Sequence, residues 1–153
     1  MAKVPEIRQT YFYRATPAEV YAALTQPAQL LKWFANGAKI DAKKGGRYHL
    51  AFSGGYEMKG KVKRAKAAAR LTVTWVDKFG KGKTFKTSAD FVLRKKNGGT
   101  ILKLTHEGFG SGKQWVGLYG AIQSGWAYYL TNLRSVLEHG TDLRSEHDAV
   151  SGG

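Results

Sequence analysis

The chain has 153 residues, 42% of them hydrophobic and 12% aromatic, with 25 Lys+Arg against 11 Asp+Glu, a net charge of +14 and no cysteine. That length fits one domain with a core that needs no staples, and the missing cysteine excludes disulfide scaffolds, thiolate metal sites and cysteine nucleophiles. No apolar run approaches the roughly 18 residues of a spanning helix, and residues 1–14 lack a signal-type apolar core, so a cytoplasmic protein is expected.

Residues 5–14 alternate, with Ile7, Tyr11 and Tyr13 on one parity and Arg8, Thr10 and Arg14 on the other, which predicts a strand. A helix start follows: Thr16 suits the N-cap, Pro17 the first helical position, and Glu19 completes a capping box. This helix, 17–25, should bury Val20, Tyr21 and Leu24. The break at Gln26-Pro27 leads to a second short helix over 28–34, carrying Leu30, Leu31, Trp33 and Phe34 and ending at Asn36-Gly37.

Over residues 39–106 the period becomes two, in about five strands. Tyr48, Leu50 and Phe52 share one parity. Met58, Gly60 and Val62 face one way, and Lys59, Lys61 and Lys63 the other. Leu71, Val73 and Trp75 alternate with threonines; Phe85, Ala89, Phe91 and Leu93 with polar residues; Leu102 and Leu104 with Lys103 and Thr105. Turns at Phe79-Gly80-Lys81-Gly82 and Asn97-Gly98-Gly99 imply an antiparallel meander with one apolar face. From Trp115 the stripe Tyr119, Ile122, Trp126, Leu130, Leu133 and Leu137 predicts one long helix stopped by Gly140. Gly117, Gly120 and Gly125 lie in its first half, where they could admit a strand or ligand to the backbone or mark an irregular start. The polar stretch 141–153 is expected to be a fraying tail beyond a single domain over 1–140. The elements make an α+β grip, a curved antiparallel sheet wrapped around a long C-terminal helix, with two short helices after the first strand.

That order and several strings resemble the START-like (SRPBCC) superfamily, and within it the family of activator of heat-shock protein 90 ATPase homologue-like domains. The strings are Ala15-Thr16-Pro17-Ala18-Glu19-Val20-Tyr21-Ala22-Ala23-Leu24-Thr25, Leu31-Lys32-Trp33-Phe34, Gly45-Gly46-Arg47-Tyr48 and Arg70-Leu71-Thr72-Val73-Thr74-Trp75. They continue with Gly99-Thr100-Ile101-Leu102-Lys103-Leu104-Thr105-His106-Glu107-Gly108-Phe109 and Gly125-Trp126, then Tyr129-Leu130-Thr131-Asn132-Leu133. The resemblance implies a helix-grip fold with a cavity between sheet and long helix, and no fixed reaction, because members of the family bind varied partners.

Tyr48, Phe52, Trp75, Phe85, Phe91, Tyr119 and Trp126 fall on inward parities, where they either fill a core or line a pocket with His106. Gly60 on the apolar face and Gly120 or Gly125 on the helix would remove volume there. A mostly apolar pocket with a few polar groups suits a small hydrophobic or aromatic ligand, the leading reading. His106 shares the parity of Leu102 and Leu104 and is the candidate general base of a lyase, cyclase or hydrolase, the weakest reading. The four histidines, His49, His106, His139 and His147, have no metal-ligand spacing, so neither metal nor cofactor is expected. Gly55-x4-Gly60-Lys61 lacks the Mg²⁺-binding hydroxyl of a phosphate loop. Gly108-Phe109-Gly110-Ser111-Gly112-Lys113 joins strand to helix and could seat an anion, but reads more simply as a flexible lip of the cavity.

Charge is concentrated, since residues 32–96 hold 18 Lys/Arg and 4 Asp/Glu while the rest of the chain holds seven of each. The basic face of Lys59, Lys61 and Lys63 lacks the interleaved aromatics of a single-stranded nucleic-acid platform. It is a solvated sheet face or, as the family resemblance implies, a contact for an acidic chaperone surface in a co-chaperone-like role. No specific nucleic acid and no membrane partner is expected, and the chain is read as a monomer or homodimer.

Overall fold

The computed structural model describes residues 3–79 and 83–144. Strand β1 (Ile7–Tyr13) is followed by α1 (Pro17–Thr25) and α2 (Pro27–Trp33). Six strands come next: β2 (Gly37–Ile40), β3 (Arg47–Ala51), β4 (Glu57–Lys66), β5 (Arg70–Phe79), β6 (Lys83–Lys96) and β7 (Gly99–Glu107). Helix α3 (Lys113–His139) closes the order. The seven strands form one sheet in the order β1-β7-β6-β5-β4-β3-β2, with every neighbouring pair antiparallel. The four-residue β2 is too short to show a period, so the pattern of residues 37–40 concealed it. The turn expected at 79–82 falls largely outside the described residues.

Local chemistry accounts for the helix ends. Thr16 Oγ1 accepts from the Glu19 amide at 3.1 Å, and the Glu19 carboxylate accepts from the Thr16 amide at 3.1 Å. Both halves of the box therefore form, with Pro17 inside. α3 ends where Gly140 turns left-handed at φ 68°, a conformation that a side chain would disfavour.

The sheet's inner face and α3 share one core. Leu71, Val73, Ala89, Phe91, Leu102 and Leu104 from β5, β6 and β7 are buried against Ile122, Trp126, Leu130 and Leu133. Buried polar tips tie the layers: the Tyr13 hydroxyl donates to Leu130 O at 2.8 Å, Tyr48 to Leu24 O at 2.7 Å, and the Trp33 indole to Ala23 O at 2.9 Å. Aromatic residues of this kind bury well only when the polar end is paired.

Two expectations change. Gly60 does not make room for a cavity: a Cβ there would stand 2.1 Å from Thr74 O, so its absence lets the β5 backbone pass beside β4. The first residues after α3 are docked rather than frayed. Asn132 Nδ2 donates to Trp33 O and to Asp142, its Oδ1 accepts from the Leu143 amide, and Arg144 donates to Leu31 O at 2.8 Å. Buried Asn132, one polar residue on the inner side of α3, fastens this segment across α2. Residues 145–153 lie outside the description.

Candidate functional site

A cavity of about 350 Å³ lies between α3, the outer half of β5 and the segment joining β3 to β4. Trp75, Trp126 and Phe34 form its inner wall and are nearly fully buried. The Trp75 and Trp126 rings are 5.0 Å apart, and Phe34 lies 5.4 Å from Trp126. Half-buried Phe52, Tyr56 and Tyr129 form the rim. Gly54 and Gly55, both at φ 81°, make the tight turn that brings Phe52 and Tyr56 together, with the Phe52 amide donating to Tyr56 O at 2.8 Å. On α3, Gly125 faces the cavity, and a Cβ placed there would meet nothing within 4 Å.

One ionisable acid lines this space. Asp77 continues the inward parity of Leu71, Val73 and Trp75 on β5, is 5% exposed, and receives the Tyr56 hydroxyl on Oδ1 at 2.5 Å. Its Oδ2 is buried without a hydrogen-bond partner among the described residues. Burial strips water from the carboxylate and raises its pKa, which the Tyr56 hydrogen bond partly offsets. Burial, and then the same hydrogen bond, push the Tyr56 phenol up. Among the described residues, no Lys, Arg or His lines the cavity.

His106 sits behind this wall, fully buried, and both ring nitrogens are engaged. The Trp126 indole donates to Nδ1 at 3.0 Å, which leaves the proton on Nε2 to donate to Thr87 Oγ1 at 2.6 Å. Thr87 Oγ1 passes the chain on to Trp75 O at 3.4 Å. Burial holds the imidazole neutral, with its pKa lowered to about 3. It therefore positions the two tryptophans and offers the cavity no free nitrogen, contrary to the general-base placement expected from parity.

Of the other residues expected to share one space, Phe52, Trp75 and Trp126 line the cavity. Tyr48 is fully buried below α1, and Phe91 packs edge-on behind Trp126 at 5.4 Å. Phe85 and Tyr119 belong to a separate cluster: Phe85 meets Trp115 at 4.9 Å, and Tyr119 meets Phe109 at 5.4 Å. Phe109 is 2% exposed and reaches 5.5 Å from His106, so the 108–113 connection is anchored in the core and is not a free lip. Period-two reasoning missed Phe34, Tyr56 and Tyr129, because they come from a helix end, a turn and the flank of the α3 stripe. Asp77 did leave a signal, as an acid on the apolar parity of β5.

Lys59, Lys61 and Lys63 are exposed on the outer side of β4, opposite the cavity face. Glu57 stands 3.9 Å from Lys59, and across the register from Lys59 is His49. Partial burial, then Arg47, Lys59 and Lys39, lower the His49 pKa. Among the described residues no group of three His or acidic side chains could hold a metal ion, and no helix is long and apolar enough to cross a membrane. A wider hollow of about 710 Å³ near Phe12, Arg14 and the 96–98 turn is lined mostly by exposed residues.

Solved structures share this architecture. A Mesorhizobium loti protein superposes with a TM-score of 0.79 at 19% identity, covering 90% of this chain and 99% of that one. The Aha1 dimer from Colwellia psychrerythraea gives 0.76 at 22% identity, over 90% and 99% of the two chains. An HSP90 activator from Plasmodium falciparum gives 0.69 at 23%, over 87% and 96%. No curated protein matches. The family model described as "Activator of Hsp90 ATPase homolog 1-like protein" matches residues 14–138, from the α1 capping box to the last turn of α3, and the chain belongs to that family.

Proposed function

We propose that this chain is a binding domain for a small hydrophobic or aromatic molecule, held between the sheet and α3. The observation that carries this reading is the aromatic-walled cavity of about 350 Å³ with a single buried carboxylate in it. Such a volume falls at the lower end of ligand pockets, roughly 300–1,000 Å³, and a mostly apolar lining with few polar groups is their usual composition. Binding is favoured over catalysis because the His106 nitrogens are both engaged within the protein. N-phenyl-1-naphthylamine, a neutral probe that brightens in apolar sites, tests the reading. Saturable fluorescence gain, lost when the cavity is filled at Gly125, supports it; no saturable gain refutes it. Native mass spectrometry of freshly purified protein then seeks the resident molecule.

A second reading is favoured by the exposed lysine row on β4 and by the family itself. In it the chain acts as a co-chaperone-like domain, its basic face meeting an acidic chaperone surface. Titration into a heat-shock protein 90 ATPase assay at two salt concentrations tests it, since a charge-driven contact weakens as salt rises. Unchanged ATPase rate and no binding at low salt remove it. The dimeric Colwellia protein makes a homodimer the assembly to look for by sedimentation.

A further inference from the structure

Asp77 is the one feature of the cavity that an apolar ligand leaves unexplained. Asp77 is 5% exposed, its Oδ1 held by the Tyr56 hydroxyl and its Oδ2 without a partner among the described residues. Buried polar groups in folded proteins are nearly always satisfied, and an exception calls for an explanation. No ion pair among the described residues includes Asp77. Among the described residues no Lys or Arg lines the cavity, so no described cation there offsets the Asp77 carboxylate.

The walls add a second preference. Trp75, Trp126, Phe34, Phe52, Tyr56 and Tyr129 line the same cavity as the carboxylate, and the negative π faces of aromatic rings attract cations. An anionic ligand would meet both these faces and Asp77 itself. A neutral hydrocarbon would leave Oδ2 bare.

We propose that the cavity takes a small aromatic ammonium ion, its N–H donating to Asp77 Oδ2 and its ring lying among the cavity's aromatic side chains. This inference rests on the cavity being a ligand site and goes beyond it by naming the ligand's charge and the atom that reads it. Tyr56 is a positioning residue here: by holding Oδ1 it fixes the rotation of the carboxylate in the cavity wall.

Three probes of nearly one shape separate the cases: 2-phenylethylamine, 2-phenylethanol and 3-phenylpropanoate, measured by calorimetry and by displacement of N-phenyl-1-naphthylamine. The expected order is ammonium tightest, at least about tenfold over the alcohol, as a hydrogen bond to a charged group supplies, with the carboxylate not competing. In Asp77→Asn, and independently in Asp77→Ser, the ammonium-to-alcohol ratio should fall to about one. General loosening of the cavity would weaken both ligands and leave that ratio in place. If the naphthylamine enters wild type but the ammonium has no advantage, this inference fails and the cavity reading stands, with Oδ2 satisfied by water. Preference retained in both Asp77 variants also overturns it. Where nothing enters, both readings fail. The wild-type series needs no variant to fold.

Discussion

Gly125→Leu separates a built cavity from an imperfectly filled core. Gly125 lies within α3, faces the cavity, and has open space where its Cβ would be. In a helix interior glycine is about 0.8–1.0 kcal/mol less favourable than alanine, and leucine is close to alanine. Half-burying the new side chain returns about 1 kcal/mol, and fixing its rotamer takes back about 0.5–1 kcal/mol. The net expectation is a gain of about 1 kcal/mol, or roughly 2–4 °C in Tm for a domain of this size. The same side chain occupies the ligand's volume, so affinity for N-phenyl-1-naphthylamine should fall at least about tenfold, equivalent to 1.4 kcal/mol. Thermal unfolding by circular dichroism and the dye titration read the two effects together. A Tm lower than wild type would show that α3 needs the bare backbone for packing. Undiminished dye binding in a stable variant would place the probe elsewhere and refute the cavity assignment.

Three further outcomes follow from the buried polar groups. Trp126→Phe keeps one six-membered ring but removes the pyrrole ring and its N–H to His106 Nδ1, leaving a buried acceptor unpaired and a small void, so stability should fall by at least about 1–3 kcal/mol in urea unfolding. Equal stability would mean that the nitrogen is satisfied another way. His106, with its pKa lowered to about 3, refuses a proton that the unfolded chain accepts. Its contribution is therefore complete above the ordinary histidine value and is lost as pH falls below it, at up to about 1.4 kcal/mol per pH unit. Between pH 6.5 and 4, His106→Gln should show a shallower acid slope than wild type; parallel slopes contradict the burial argument. Asp77 has the opposite sign. Its raised folded pKa makes its contribution complete below the ordinary carboxylate value and lost as pH rises through the folded value. The stability of Asp77→Asn relative to wild type should thus increase from pH 4 to pH 7, and a gap that stays constant in paired thermal melts would refute it.

Much of the fold was legible because it rests on local chemistry. The capping box of Thr16 and Glu19, the alternation of Met58, Gly60 and Val62 against lysines, and the α3 stripe from Ile122 to Leu133 are relations between near neighbours, so periodicity exposes them. The basic face was legible for the same reason. The site was less so. Parity says that Tyr48, Phe85, Phe91 and Tyr119 point inward, but not which of them meet: Phe85 and Tyr119 went to the Phe109 cluster, and Tyr48 went under α1.

By itself, then, the sequence determined the elements apart from β2, their order, the side of each longer strand that is buried and the family. Tertiary structure alone decided where packing stops. Phe34 from the end of α2, Tyr56 from a glycine turn and Tyr129 from the flank of α3 converge across nearly a hundred residues of chain around Trp75 and Asp77. No local period relates those positions. Whether inward side chains close on one another or leave a hollow depends on distances between layers, and those are set by long-range contacts that no single stretch contains. The two histidine hydrogen bonds make the same point: parity placed His106 inside, and only its neighbours Trp126 and Thr87 turned it from a candidate base into a buried brace.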